Sequence, residues 1–109
     1  MRSFKQWEIY WADVAFESDP SKSERCPILI LADNLYVVLS TKITSHAPRK
    51  NYPEDYAIIE WYAAGLKKPS TLRAHRTLSI DKIDIYNKIG DLQPIDRNNV
   101  WDLIKNKKG

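Results

Sequence analysis

The chain has 109 residues, the size of one domain, and a net charge of +3 that permits an anionic partner without requiring one. With 43% hydrophobic residues, 4 Trp and 6 Tyr, it is too apolar and aromatic for a disordered tail. A single cysteine excludes a disulfide scaffold and a multi-cysteine zinc site, and 3 glycines with neither GxGxxG nor GxxxxGK argue against a phosphate loop.

Residues 6–14 alternate, with Trp7, Ile9 and Trp11 against Glu8, Tyr10 and Ala12, and this period of two predicts a first strand. Residues 16–26 read as a polar loop. The apolar run 28–31 predicts a buried strand opened by Pro27, and Asp33-Asn34 predicts a tight turn. Residues 35–43 complete a hairpin. Residues 44–55, with Pro48 and Pro53, read as a loop, and 56–60 as a short strand. Residues 61–64 suit one helical turn ended by Gly65. Two short strands are expected at 70–73 and 77–80, whereas 81–89 is ambiguous, a turn of helix being one reading. The last element is a helix over 94–106. Pro94 suits its first position, Asp96 its first turn, and Lys105 and Lys107 its end. Val100, Leu103 and Ile104 form its apolar stripe, with Trp101 at the edge. Gln93 is a poor N-cap.

Short strands followed by a helix predict a mainly β, partly open barrel forming a single domain over 1–109. The longest apolar run, 27–32, falls far short of the ~20 residues that span a bilayer. No secretory apolar segment follows the first cations, so the expected location is cytoplasmic, without membrane association.

Candidate chemistry is sparse. His46 and His75 lack partners at metal-ligand spacing, so no metal or other cofactor is expected. His75 lies in Arg73-Ala74-His75-Arg76, where an imidazole among guanidinium groups suits acid–base work on a phosphodiester; a plain basic surface turn is the alternative. Cys26 follows Arg25, and a cation can activate a thiol, but a small apolar residue at a strand start fits equally. Lys42-Ile43-Thr44-Ser45-His46 ends a strand with a cation and two hydroxyls, a set that could hold a phosphate or simply lead into the loop. Arg49-Lys50, Lys67-Lys68 and Arg73 with Arg76 are interleaved with Tyr52, Tyr56, Trp61 and Tyr62. Cations among aromatics fit single-stranded nucleic acid, bound by its backbone charge and by base stacking; solvated faces and core aromatics are the plainer reading.

Five stretches in order resemble the MazF/PemK-type toxins of bacterial toxin–antitoxin systems. Trp7-Glu8-Ile9-Tyr10-Trp11-Ala12-Asp13-Val14 is similar to the opening strand of that family, and Cys26-Pro27-Ile28-Leu29-Ile30-Leu31 to its Arg-Pro-aliphatic strand. Lys42-Ile43-Thr44-Ser45 resembles the strand end that carries the family's active-site threonine. Gly65-Leu66-Lys67-Lys68-Pro69-Ser70, followed by Arg73, resembles its Gly-Leu-Lys-x-Pro-Ser segment, and Lys88-Ile89-Gly90-Asp91-Leu92 the segment before its last helix. The resemblance covers about 7–104. It implies an SH3-like, partly open barrel with a C-terminal helix, usually a homodimer. It also implies metal-independent cleavage of single-stranded RNA by attack of the ribose 2′-hydroxyl, and a cognate antitoxin that occupies the RNA groove.

The departures fall on the family's catalytic positions. Its arginine before the strand proline is Cys26 here, with Arg25 one residue earlier, and its Asp-Gln after the Pro-Ser segment is His75-Arg76. A one-residue shift in a regular strand points the side chain to the other face, although a loop–strand junction would relax that rule. Trp7 replaces the family's glycine before Glu8, which predicts a filled rather than a tight start. Two readings follow. In one, Arg25 or Arg76 supplies the displaced cation, Thr44 and Ser45 position the scissile phosphate, and His75 carries protons. Lys42, His46, Arg49, Arg73 and His75 then bind RNA. In the other, the barrel binds RNA or a protein without cutting. A topoisomerase inhibitor on the same fold is a further alternative, against which the C-terminal sequence counts.

Overall fold

A computed structural model describes residues 2–16 and 18–106. The strands are β1 (Glu8–Ala15), β2 (Ser23–Asp33), β3 (Val37–Thr44), β4 (Asp55–Ala57), β5 (Thr71–Arg73), β6 (Leu78–Asp81) and β7 (Ile85–Asp91), and α1 (Pro94–Asn106) closes the chain. The antiparallel order is β4-β5-β3-β2-β1-β7, an open path rather than a closed barrel. β3 is the branch point. One edge pairs with β2, while the other takes β6 along Val37–Ser40 and β5 at Ile43 and Thr44. The sheet thus branches at one strand, whose C-terminus carries Thr44.

Alternation along β1 and β2 feeds two cores. Tyr10, Ala12, Val14, Cys26, Ile28 and Ile30 join Phe4, Val38, Ile80 and Ile85 in one. Ile9 and Leu29 join Ile43, Leu72, Leu92 and Val100 in the other. Burial on both faces explains why the central part of β2 reads as an unbroken apolar run rather than an alternating one. α1 follows its expected bounds and inserts Val100 into the second core, leaving Trp101 half exposed. Asp96 anchors its first turn. Its buried carboxylate accepts hydrogen bonds from the Tyr56 hydroxyl (2.5 Å), Ile59 N–H (2.9 Å) and Glu60 N–H (2.9 Å). Burial and that carboxylate push the Tyr56 phenol up to about 12.

The structure corrects four local expectations. The loop predicted to reach residue 26 ends earlier, because β2 pairs with β1 from Ala15↔Ser23 onward. The strand predicted over 56–60 stops at Ala57, since the amides of Ile59 and Glu60 are drawn to Asp96 instead of a neighbouring strand. The ambiguous 81–89 segment is a 3₁₀ turn at Lys82–Asp84 followed by β7. Register shifts against β1 break its alternation, which hides the strand from a period-two reading. Finally, Trp7, just before β1, has φ +78°, in the left-handed region that glycine adopts easily. The start is therefore tight as well as filled, with Trp7 N–H bonded to Ile30 O and Trp7 O to Leu92 N–H.

The 61–65 segment is a run of hydrogen-bonded turns ended by Gly65 at φ +97°. It packs tightly against β7. A Cβ at Gly90 would lie 2.0 Å from the Ala64 carbonyl oxygen.

Candidate active site

The predicted site residues fall into two clefts. The first encloses about 570 Å³ and is lined by Arg25, Cys26, Lys42, Thr44, Ser45 and His46, together with Trp11, Glu24, Lys67, Lys68 and Ser70. The second encloses about 250 Å³ and is lined by Lys42, Arg49, Arg73, His75 and Arg76, with Phe16 and Leu78 among its apolar walls. Lys42 borders both. Arg25 therefore shares a cleft with Thr44 and Ser45, whereas Arg76 lies with His75 in the other.

Strand geometry fixes these placements. Arg25 and Cys26 lie inside β2, in regular register with Asp13 and Ala12, and not at a loop junction. Their side chains therefore point to opposite faces. Cys26 enters the first core at 8% exposure, and burial pushes its thiol up to about 11, so it packs as a neutral apolar group. Arg25 stands opposite Asp13. Its Nε–H donates to Asp13 Oδ1 at 3.4 Å, and its guanidinium lies 3.9 Å over the Tyr86 ring. The Tyr86 hydroxyl donates to Asp13 Oδ2 at 2.6 Å, and that bond and Arg25 hold the Asp13 carboxyl below the usual range. Lys42 pairs in register with Ile28, which puts it on the same face as Cys26, and its ammonium forms an ion pair with Glu24.

At the end of β3 the chain turns through Thr44-Ser45-His46. Thr44 Oγ1 lies 2.9 Å from His46 Nδ1 and accepts the His46 backbone N–H at 3.3 Å. This is a short local loop in which a hydroxyl and an imidazole fix each other at the mouth of the first cleft. The opposite wall is the segment 65–70, which brings Lys67 and Lys68 to the cavity.

The second cleft is organised by Asp55, whose side chain is fully buried. Its carboxylate accepts from Arg49 N–H (3.0 Å), Nε (2.8 Å) and Nη2 (3.1 Å), and it lies 3.8 Å from His75 Nδ1. The Arg49 hydrogen bonds hold this carboxyl below its ordinary range. Tyr52 packs under the Arg49 guanidinium at 3.6 Å and against the His75 ring at 4.9 Å. Arg73 stands opposite Asp55 across the β4–β5 pair, with a buried Nε that has no hydrogen-bond partner among the described residues. Cations exceed acids here, so the cleft suits an anion.

Among the described residues no cluster of three or more His, Cys, Asp or Glu is placed to hold a metal ion, and no helix is long and apolar enough to cross a membrane. Sequence reading missed Asp55, which carries no spacing signal because its partners come from a loop and from another strand. It noted Lys67 and Lys68 only as a cation pair, although the segment that holds them was among the most recognisable.

The architecture recurs in solved structures. The Mycobacterium tuberculosis toxin MazF-mt6 superposes with a TM-score of 0.70 at 22% identity, over 91% of this chain and 93% of that one. An endoribonuclease solved with its cognate antitoxin, from a mycobacterial species, gives a TM-score of 0.75 at 15% identity, over 95% and 93% of the two chains. A further mycobacterial endoribonuclease gives 0.74 at 15% identity, over 97% and 91%. At these identities the likeness is one of fold, and the fold is that of small toxins built on an open antiparallel sheet. No curated protein sequence gives a significant match. The family described as PemK-like, MazF-like toxin of type II toxin–antitoxin systems matches residues 5–106, and the chain belongs to it.

Proposed function

We propose that this toxin is an endoribonuclease that cuts single-stranded RNA without a metal ion, as a homodimer held in check by a cognate antitoxin. The observation that carries the reading is the first cleft, where two hydroxyls, an imidazole and several cations meet at one strand end. A ribose 2′-oxygen attacking the adjacent phosphorus builds negative charge on the phosphate. Preorganised donors at that point act without reorganising, which makes them effective. Thr44 and Ser45 supply hydroxyl donors, while Lys42 and Arg25 supply positive charge. Arg49, Arg73, His75 and Arg76 in the second cleft hold neighbouring phosphates, which position the strand but do not react.

The test is incubation of an unstructured RNA with the protein in EDTA, followed by analysis of the ends. Cleavage to 2′,3′-cyclic phosphate and 5′-hydroxyl ends is expected. Intact RNA at stoichiometric protein overturns the proposal and leaves the second reading, a barrel that binds RNA without cutting. That reading draws on Cys26 in the family's arginine position and on Arg25 engaged by Asp13 and Tyr86. It predicts RNA affinity that weakens steeply with salt and gives no product. The antitoxin is tested by co-expression with the neighbouring reading frame and by loss of cleavage in the complex, the homodimer by sedimentation.

A further inference from the structure

The displaced arginine leaves the cleavage step without an evident proton acceptor. Cys26 is buried and keeps its proton, and Arg25 and Lys42 are charged groups engaged by Asp13 and Glu24. His75 sits in the other cleft beside Asp55 and Arg49. His46 is the one imidazole in the first cleft, and it touches the threonine that faces the phosphate in the proposed reaction.

Resting on the endoribonuclease reading, we propose that His46 is the general base of the cleavage step. With its ring hydrogen on Nδ1, the imidazole donates to Thr44 Oγ1 and presents the Nε2 lone pair. Thr44 Oγ1 then accepts from both Nδ1–H and the His46 backbone N–H, so its own O–H points to a non-bridging phosphate oxygen. One short turn thereby couples the group that takes the proton to the group that steadies the phosphate. In the step, the 2′-hydroxyl proton passes to Nε2 and the 2′-oxygen–phosphorus bond forms. The bond from phosphorus to the 5′-oxygen breaks, and that oxygen leaves with a proton from water. The imidazolium afterwards returns its proton to solvent, so the enzyme is unchanged.

The ionisable groups that line the cleft with His46 are Glu24, Arg25 and Cys26 from β2, Lys42 from β3, and Lys67 and Lys68 from the facing wall. The experiment therefore leaves all of them intact. Cleavage of a short single-stranded RNA in EDTA is followed from pH 5 to 9. The proteins compared are wild type, His46→Ala and His46→Gln. Glutamine keeps a side chain that can hydrogen-bond Thr44 but cannot accept the proton. Wild type is expected to lose kcat on an acid limb within that range, as protonation removes the base. Both variants are expected to lose about 10²-fold or more in kcat with KM little changed, and to lack that limb. Added imidazole should restore part of the rate to His46→Ala.

Wild-type rate and limb in either variant overturn the proposal; for glutamine, that result reduces the ring to a positioning role for Thr44. An inactive wild type overturns the endoribonuclease reading, and this inference falls with it. Circular dichroism and thermal melting of the variants separate loss of fold from loss of chemistry.

Discussion

The cleft at Thr44 and the cleft at Arg73 share Lys42 in their walls, yet they hold their histidines differently. His46 is exposed and meets a hydroxyl. His75 is more buried and sits beside a carboxylate and a guanidinium, with an aromatic ring against it. An imidazole built into a charged network is held in place by its neighbours, whereas one that meets a single hydroxyl at a chain turn is less constrained. The difference teaches a division of labour. On the proposed reading, the first cleft serves the reaction at one phosphate and the second holds charge in a fixed pattern.

That division predicts different signatures for substitutions in the two clefts. Beyond the His46 variants, Thr44→Ala should give the largest effect, about 10²-fold in kcat with little change in KM, read by single-turnover cleavage. A pure KM effect would place Thr44 in binding and merge the two clefts into one function. Next, Asp55→Ala should cost about 2–3 kcal/mol of folding stability in a denaturant titration, because three hydrogen bonds from Arg49 lose their acceptor. Acid should reveal the same group. The folded carboxyl is held low, so its stabilisation is complete above the unfolded value of about 3.9 and disappears as pH falls through the folded one. The stability gap between wild type and Asp55→Ala should therefore close at low pH, and a constant gap would remove Asp55 from the network.

Arg73→Ala should act more gently, raising KM and flattening the salt dependence by about one phosphate contact while kcat holds. A fall in kcat alone would break the comparison. The smallest effect concerns Cys26. Its thiol should resist iodoacetamide at pH 8 in the folded protein and react quickly once unfolded, because the thiolate is the nucleophile. Rapid alkylation of the native protein would put a reactive sulfur in the first cleft.

How far these clefts could be read from the chain depends on how local their causes are. β1, the core of β2 and α1 were legible because alternation, an unbroken apolar run and a proline start are written in consecutive residues. Thr44, Ser45 and His46 were legible as a group because one strand end carries all three. β7 was hidden by its register shifts, and the early start of β2 by polar residues whose pairing with β1 is what makes them a strand. The separation of Arg76 from Thr44 was also beyond the sequence. Arg73 ends β5 and His75 and Arg76 follow it in the chain, but all three line the cleft of Phe16 and Leu78 and not the one that holds Thr44. Nothing in the spacing of 25, 44 and 76 states which pair shares a wall. Asp55 was invisible for the same reason, since its importance comes from Arg49 and His75 closing on it in space.

Gly90 stands behind the first cleft, and its consequence reaches through to the front. Where a methyl at that position would collide with the Ala64 carbonyl, β7 and the turn that leads into Lys67 and Lys68 are already at contact. A larger residue there could be housed only by pushing the turn outward, carrying the Lys67–Lys68 wall away from or across Thr44. The gauge of the cleft is thus tied to an absent side chain at a residue outside the lining, and on the proposed reading a substitution at position 90 is expected to change which strands fit more than how fast they react.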